Sequence, residues 1–430
     1  MNNTRKRIVI FNVFGHGNSG DAVLLETLVQ VLIEVWPDGE LRGVAFDPVS
    51  QQRWMPNVEW AERVGNAQRG STAARLLQIL FLLIALLISC SRIFLFLRFL
   101  LPQKQQKALE MFQQADYAIS CPGGYLEDSN AAYLINVLGV LLAHRLSKQV
   151  ILAPQSVGPV SSGLGRWAIR KALLASDRIF VRELKAQQFV NELLDTPQYR
   201  DALKKVELAG DMAFWFAPEH DSPVVSENDK LVIGNDRKLF GLTVVDWGFP
   251  HVPDPAAAKK NYVDSISTLI RHVEAKGDYN IAIFNQVAHD LELGKAIGRL
   301  HPNVIVDVWE RDAVSFLNLI SRCDVFIGTR FHSCIFALLG NVPTAAIAYL
   351  PKTSGLMHDL DLSDLVVGID TVTGQQLIAL FERLLSERDV LRQRIAENLE
   401  RYRHANGRFI EYLKRESLES HAKTVAEVTN

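Results

Sequence analysis

Three glycines near the start of the chain have a spacing that is typical of phosphate binding. Gly15, Gly17 and Gly20 form the pattern G-x-G-x-x-G after the apolar run RIVIFNVF, and a helix is predicted to follow. In dinucleotide-binding folds such a turn binds a pyrophosphate, and Asp47, after the second predicted strand, would meet the ribose. Asp21, however, places a negative charge where the pyrophosphate would bind. A tight turn in which Asp21 caps the helix is therefore the alternative.

Other turns that follow predicted strands also contain polar and charged residues. Arg330 and His332 lie two residues apart after the apolar strand CDVFIGT, and Tyr349 and Lys352 follow the next strand. Ligands in open α/β folds bind at the carboxyl ends of the strands, so we expect the chemistry in these turns. The corresponding positions earlier in the chain are Gly123, Gly124, Glu127, Asp128, Asn130, Gln155, Arg182 and Asp211.

The order of these motifs resembles that of the polysaccharide pyruvyltransferase family. The matching segments are NVFGHGNSGD, CPGGYLED, PQSVGP, VRE, GDMAF and TRFHSCIFALLGNVPTAAIAYLPK. The last segment, with R-x-H, A-x-x-x-G-x-P and Y-x-x-K, is the most specific, whereas CPGG stands where a triple glycine is common. The resemblance implies transfer of the enolpyruvyl carbons of phosphoenolpyruvate to a sugar as a ketal. It also implies a fold similar to the two-domain GT-B glycosyltransferases.

The resemblance also implies roles for the basic residues. Arg182, Arg330 and Lys352 would bind the carboxylate and the phosphate of phosphoenolpyruvate, since a guanidinium fork binds such groups bidentately. We expect His332 to be the general acid or the phosphate partner, because imidazole changes its charge near neutral pH. A surface ion pair is the alternative for the arginines, with Glu183 and Asp177 as the candidate partners of Arg182, and a capping role is the alternative for His332.

Acidic and polar residues would then serve the acceptor sugar. Asp21 and Asp211 are the candidates for activating its hydroxyls, although aspartates at helix starts are often caps. The remaining candidates for substrate binding are Asn18, Gly123, Gly124, Glu127, Asp128 and Gln155, with ordinary solvation as the alternative.

The elements that must position these residues follow from the hydrophobic pattern. Short apolar runs alternate with amphipathic stretches, among them helices predicted at 163–175 and 184–194, which indicates parallel sheets covered by helices. The predicted fold class is α/β, with two Rossmann-like domains facing a central cleft and a C-terminal helical tail. The predicted boundaries are an N-terminal domain at 1–217, a linker at 218–237, a second domain at 238–373 and helices at 374–430. Ser386 is expected to cap one of these helices.

Composition excludes several classes of function. A chain of 430 residues with 48% hydrophobic and 22% charged residues is long enough for two folded domains. The net charge of −2 gives no electrostatic basis for general nucleic-acid binding. The four cysteines lack C-x-x-C spacing, so we expect neither a disulfide framework nor a zinc site, and a reducing cytoplasm fits best. We expect no metal and no cofactor, since the histidines lack carboxylates at ligand spacing.

The most hydrophobic stretch is a helical insertion at 73–101, which is long enough to span a bilayer. A single crossing would put the two halves of one sheet on opposite sides of the membrane, so we expect no span. Basic residues around the stretch favour peripheral attachment to the inner face of a membrane, where lipid-linked sugars would be presented. The alternative is a hairpin buried within the first domain or in an oligomer interface.

Two other functions remain open for this sequence. One is a nucleotide-sugar glycosyltransferase of similar architecture, in which Arg330 and Lys352 would bind a diphosphate. The other is a carbohydrate-binding or scaffold protein without catalytic activity. The identity of the donor distinguishes the three hypotheses.

Overall fold

The computed structural model describes residues 5–14, 19–66, 72–128, 132–217, 237–308 and 312–429. These residues divide into two units, each with its own sheet. The first unit comprises Met1–His16, Leu24–Met212 and Ala405–Asn430, and the second comprises Gly17–Val23 and Ala213–His404. Apart from residue 237, the predicted linker lies outside the described residues, as do Gly15, Gly17, Asn18 and Asn130.

The sheet of the first unit is parallel, and its strand order is β3-β2-β1-β4-β6-β7-β8, with β5 paired to β6. Most of its central strands are buried along their length, because helices cover the sheet. The strands are β1 Arg7–Val13, β2 Glu40–Ala45, β3 Glu59–Glu62, β4 Tyr117–Ser120, β5 Gly123–Leu126, β6 Gln149–Val157, β7 Arg178–Val181 and β8 Val206–Leu208.

The helices between these strands begin and end largely where the sequence predicts. The helix predicted at 163–175 is observed at Gly163–Ala175, where Ser162 caps it by accepting a hydrogen bond from the amide of Gly165. The helices are α1 Ser19–Val35, α2 Pro48–Trp54, α3 Thr72–Cys90, α4 Gln103–Gln114, α5 Tyr133–Leu146, α6 Gly163–Ala175 and α7 Leu184–Leu194. A 3-10 segment, Arg92–Leu100, follows α3.

The second unit is also built on a parallel sheet with helices between its strands. Its strand order is β11-β10-β9-β12-β13-β14. The strands are β9 Lys238–Thr243, β10 Tyr279–Phe284, β11 Val304–Val306, β12 Val325–Gly328, β13 Thr344–Ala348 and β14 Val366–Gly368. The helices are α8 Pro255–Lys276, α9 Leu291–Leu300, α10 Ala313–Ile320, α11 Phe331–Leu339, α12 Pro351–Asp359, α13 Gly374–Ser386 and α14 Arg388–Asn406.

The last helix, α15 Arg408–Thr429, belongs to the first unit. Its Phe409 packs edge-on against Phe180 of β7, with the ring centroids 5.1 Å apart. The prediction that Ser386 caps a helix start is wrong. Ser386 is the last residue of α13, and its hydroxyl donates to the carbonyl of Arg383.

Candidate functional site

The turn between β12 and α11 contains Arg330 and His332, and hydrogen bonds between hydroxyl groups and the backbone fix its shape. The hydroxyl of Thr243, at the end of the neighbouring strand β9, accepts from the amide of Thr329 at 3.0 Å. The Thr329 hydroxyl donates to the carbonyl of Thr243 at 2.9 Å, and the Ser333 hydroxyl donates to the carbonyl of Arg330 at 2.7 Å. The three residues are fully buried, so the backbone around Arg330 is well defined.

Arg330 forms a bidentate ion pair with Asp290, which lies just before α9. The Arg330 Nε donates to Asp290 Oδ2 at 2.6 Å, and Nη2 donates to Oδ1 at 2.7 Å. The Arg330 side chain is 19% exposed, and that of Asp290 is 1% exposed. Asp290 Oδ1 also accepts from the backbone amide of Asp246, so the carboxylate is fixed from two sides. This arrangement fixes the plane of the guanidinium group.

The ion pair changes what Arg330 can offer to a ligand. Burial alone would lower the pKa of Arg330, but the hydrogen bonds and charge of Asp290 hold that pKa above its ordinary value. The group is therefore always cationic, yet Asp290 balances its charge. The sequence left a surface ion pair as the alternative for Arg330, whereas the observed pair is mostly buried, and donor binding by Arg330 stays a prediction. The edge that bears Nη1 faces Tyr349, whose hydroxyl oxygen lies 3.4 Å away.

His332 lies in the first turn of α11 and is half-buried. Its ring meets that of Phe331 nearly at right angles, with the centroids 5.0 Å apart. Gly20, in the first turn of α1, approaches the imidazole so closely that a β-carbon there would overlap the ring and would lie 2.8 Å from Nε2 of Gln286. Gly20, Gln286 and His332 all belong to the second unit. Gly20, the last glycine of the motif, thus borders His332.

The remaining predicted residues of the second unit lie around the same turn. Lys352, in the first turn of α12, places its Nζ 5.4 Å from the ring centre of Phe331, the residue whose ring also contacts His332. Tyr349 contacts the Arg330 guanidinium through its ring at 5.7 Å. Asp21 directly follows Gly20 and is half-buried. The structure therefore brings Arg330, His332 and Lys352 to the carboxyl ends of β12 and β13, and it places Gly20, the neighbour of Asp21 in the chain, against His332.

A second cluster lies at the carboxyl ends of β5 to β8 in the first unit. Arg182 Nη1 donates to Asp211 Oδ2 at 2.9 Å, with the two side chains 6% and 4% exposed. Arg182 Nε donates to the hydroxyl of Ser156 at 2.8 Å. Burial lowers the pKa of Arg182, but Asp211, Glu183 and Glu127 together raise that pKa above its usual value. The structure thus places Arg182 in an internal ion pair, and its contact with a donor stays a prediction.

The other predicted residues of the first unit surround this cluster. Gly124 lies against Glu127 and Arg182, since a β-carbon on it would be 3.0 Å from Glu127 Oε1 and 3.6 Å from Arg182 Nη2. Gln155 is buried and donates to the hydroxyl of Ser120 at 2.6 Å. Among the described residues, no donor reaches Gln155 Oε1.

Asp128, by contrast, is exposed and bound to its own loop. Its carboxylate accepts from the amide and the hydroxyl of Ser161, each at 2.7 Å, and these hydrogen bonds lower the pKa of Asp128. Gly123, in β5, has a positive φ of 147° and packs against the ring of Tyr125. The predicted binding roles of Gly123 and Asp128 remain untested by this geometry.

A family model described as polysaccharide pyruvyl transferase matches residues 18–351 of this chain. The chain belongs to that family. The matched range includes the turns with Arg182, Asp211, Arg330 and His332, and it ends one residue before Lys352. The resemblance inferred from the sequence is therefore confirmed.

One individual protein is similar to part of this member of the pyruvyl transferase family. The amylovoran biosynthesis protein AmsJ of Erwinia amylovora is 29% identical over 85 residues, which is 20% of each protein. The match thus spans a fifth of the length of that relative.

Solved structures share the fold of this family member at low sequence identity. The UDP-GlcNAc 2-epimerase of Neisseria meningitidis bound to UDP-GlcNAc superimposes with a TM-score of 0.58 at 13% identity, covering 96% of this chain and 100% of the other. Anabaena Alr3699/HepE in complex with UDP and glucose gives 0.55 at 11% identity, covering 97% and 100%. With the two parallel sheets and the C-terminal helices, these likenesses confirm the predicted GT-B-type α/β fold class.

Sequence reasoning missed Gln286 and Asp290, although a signal was present. Both follow the apolar strand β10, and polar residues after such a strand are the signal that identified the other turns. Gln286 is buried, and its Oε1 has no hydrogen-bond donor among the described residues. In the described part of the chain, no group of three or more His, Cys, Asp or Glu residues could hold a metal ion.

Gly20 gives a direct test of the contact with His332 in this pyruvyl transferase family member. On the expectation that His332 takes part in the reaction, Gly20→Ala should lower kcat by about 10²-fold, because the added methyl group must displace the imidazole, and small displacements of a reacting group have effects of that size. Steady-state turnover would measure the change. Gly355→Ala is the matched control, because that glycine lies in α12 with no atom near its β-carbon position. Equal rates in both variants would contradict the contact.

Asp211→Ala tests whether the buried pair in the first unit is structural. We expect a loss of about 3–5 kcal/mol in the free energy of unfolding, because Arg182 would remain buried without its carboxylate. Denaturant unfolding monitored by circular dichroism would measure this loss. The control is Asp201→Ala. Because Asp201 pairs with Lys204 on the exposed surface, this substitution should leave the unfolding midpoint unchanged. Similar midpoints for the two variants would show that the buried pair does not stabilise the unit.

Proposed function

We propose that this protein transfers the pyruvyl group of phosphoenolpyruvate to two hydroxyls of a sugar, forming a ketal during the biosynthesis of an exopolysaccharide or another cell-surface glycan. The observation that carries the proposal is the single turn of the second unit that holds both Arg330 and His332, within the range of the family match. The name of the relative AmsJ, an amylovoran biosynthesis protein, supports a glycan product.

Donor binding requires groups that complement a carboxylate and a phosphate. Asp290 orients the Arg330 guanidinium, and Nη1 of that group lies 3.4 Å from the Tyr349 hydroxyl, so the two groups have a fixed geometry as hydrogen-bond donors. Lys352 adds a cation beside the same turn. We propose that these groups bind the donor. Because Asp290 balances the charge of Arg330, Lys352 contributes a further positive charge toward the donor.

The reaction balances with one acid and one base. His332 gives a proton to the methylene carbon of phosphoenolpyruvate, which leaves a cationic centre on the adjacent carbon. One sugar hydroxyl attacks that carbon and loses its proton. The bond to the phosphate oxygen then breaks, and the second hydroxyl adds and loses its proton. The products are the pyruvate ketal and inorganic phosphate, which takes up one of the two released protons, while the other proton restores the protonated form of His332.

Acidic residues would accept the hydroxyl protons and orient the sugar. Asp21 suits the role of base, because Gly20, its neighbour in the chain, lies against the His332 ring. Asp211 is the second candidate, but its carboxylate is occupied by Arg182. We propose that Asn18, Gly123, Gly124, Glu127, Asp128 and Gln155 contribute to binding the substrates.

We further propose that the enzyme works in the cytoplasm at the inner face of a membrane, where a lipid-linked glycan is the acceptor. The apolar segment 73–101 supports this location. One helix of the described residues, Ala73–Cys90, is long and apolar enough to cross a membrane by length and composition, and 28% of it is buried in the protein.

The test incubates the purified protein with phosphoenolpyruvate and a panel of lipid-linked sugars that have neighbouring free hydroxyls. Release of inorganic phosphate together with a pyruvate ketal, detected by mass spectrometry, is the expected result. Parallel reactions contain UDP-sugars in place of phosphoenolpyruvate. Transfer from the nucleotide sugar alone would support a glycosyltransferase, and sugar binding without either reaction would support a non-catalytic protein. Either result would overturn the proposal.

A further inference from the structure

The first unit exposes an apolar surface that does not form part of its core. Of the 21 large apolar side chains exposed in the described residues, 11 lie between residues 72 and 100. We call this surface the apolar face. Its residues are Leu76, Leu77, Ile79, Leu80, Leu83, Leu86, Leu87, Ile93, Phe96, Phe99 and Leu100. Such a concentration on one surface marks an interaction site rather than scattered exposure.

Helix α3 is apolar on both of its sides. Phe81, Ile84 and Ile88 point into the core of the first unit. On the outer side, Leu76, Leu80, Leu83 and Leu87 recur at spacings of four, three and four residues and are all exposed. A helix on the surface of a globular protein normally has a polar outer side. The outer leucines are therefore suited to contact with an apolar partner.

The inner contacts determine how the segment can meet a membrane. Beyond its buried side, α3 is joined at its end to α5, because Arg145 Nε donates to the carbonyl of Ser89 at 3.1 Å. The next segment is joined as well, since Arg92 Nε donates to the carbonyl of Arg145 at 2.8 Å. Crossing a bilayer would break these contacts and expose the core, whereas lying in the interface leaves them intact.

The charges around the apolar face indicate which kind of partner surface the face would contact. From residue 63 to residue 109 the sequence has seven Arg and Lys residues and no Asp or Glu. Two of these cations, Lys107 and Arg98, pair with the flanking Glu59 and Glu110 at 2.7 and 3.7 Å.

Two more of the cations, Arg75 and Lys104, are exposed and have no ion pair among the described residues. Unpaired cations beside exposed leucine and phenylalanine complement anionic lipid headgroups above an acyl layer.

We propose that the apolar face docks in the plane of a bilayer, with the outer leucines of α3 and the phenylalanines of Arg92–Leu100 in the acyl layer, and Arg75 and Lys104 on anionic headgroups. This inference rests on the proposed function, because the docking would give the enzyme access to a lipid-linked acceptor. A second copy of the chain is the less suitable partner, because a two-fold contact through this face would bring its unpaired cations together.

Vesicle flotation tests the docking without any substrate. The wild-type protein is mixed with vesicles of phosphatidylcholine alone or with added phosphatidylglycerol, at low and high salt. We expect binding to the anionic vesicles, weakened by salt. The variant Leu76→Gln/Leu83→Gln/Phe96→Gln should bind at least about tenfold less, since each change removes apolar area from the acyl layer. The control is Leu164→Gln/Trp167→Gln, which alters exposed residues of α6 in the same unit.

The outcomes separate the docking from the transfer reaction. Unfolding midpoints equal to that of the wild type would show that the outer substitutions leave the core intact. Absence of vesicle binding by the wild type, or equal binding by the triple variant, would overturn the docking. A dimer that the triple variant dissociates in analytical ultracentrifugation would also overturn it. Transfer to a water-soluble acceptor stays measurable in every case, so a failed docking leaves the proposed function standing.

Discussion

Replacing His332 with glutamine is expected to lower kcat by about 10²–10⁴-fold, the range typical of removing a general acid or base. Glutamine keeps much of the size and hydrogen-bonding capacity of the side chain but cannot supply a proton to the methylene carbon. The half-buried position beside Phe331 and Gly20 tolerates this shape, so we expect the fold to remain intact. Steady-state release of phosphate from phosphoenolpyruvate, at saturating acceptor, would measure the effect.

The pH profile distinguishes proton transfer from a structural role of this histidine. In the wild type, kcat should fall as the imidazole loses its proton, and this limb should be absent in His332→Gln. The matched control is His358→Gln, because His358 is an exposed residue of α12 in the same unit, where its Nδ1 lies 3.3 Å from the hydroxyl of Ser363. A His332→Gln variant with the rate of this control would remove His332 from the mechanism.

Much of the fold could be predicted because its signals are local. The helices at 163–175 and 184–194 are observed at the predicted residues. In the first of them, the capping serine stands directly before an amphipathic pattern. The strands are short apolar runs between helices, and that pattern requires a parallel sheet with both faces covered. Neither inference depends on a residue distant in the sequence.

Local signals were misleading where one sequence pattern is compatible with two different structural roles. Asp47 follows the second strand, as the acidic residue of a dinucleotide site would, but in the structure it caps α2 by accepting from the amide of Ser50 at 3.0 Å. Ser386 precedes a charged helical stretch, yet it ends α13, because the two helices are separated only by Glu387. In both cases the sequence supplies a capping residue without showing which helix end uses it.

The partners of the site residues could not be predicted, because they are distant in the sequence. The turn with Arg330 and His332 is visible as a polar break after an apolar strand. The carboxylate of Asp290, 40 positions earlier, reaches Arg330 only through the pairing of β10 with β9 and of β9 with β12. The contact of Gly20 with His332 likewise requires tertiary structure. Sequence reasoning therefore located the turn but could not identify the distant residues that contact it.

The ion pair between Arg330 and Asp290 gives the second large expected effect, and two substitutions together separate its structural role from its functional role. Asp290→Asn alone should lower the free energy of unfolding by about 3–5 kcal/mol, because it leaves a mostly buried guanidinium without its countercharge. Arg330→Gln/Asp290→Asn replaces the pair with two neutral amides and should recover most of that stability. Denaturant unfolding of the two single variants and the double variant would measure both effects.

Turnover should not recover in the double variant. If Arg330 binds the donor, Arg330→Gln and the double variant should both lose about 10²–10³ in kcat/KM for phosphoenolpyruvate, the range found when one preorganised donor is removed. Asp290→Asn keeps the guanidinium but no longer fixes its orientation, so this variant should lose less activity than Arg330→Gln or the double variant. Arg388→Gln is the control, since Arg388 pairs with Asp324 in the same unit and should alter stability without altering kcat/KM. Recovery of both stability and turnover in the double variant would show that Arg330 serves the fold alone, and donor binding would then have to rest on Lys352 and His332.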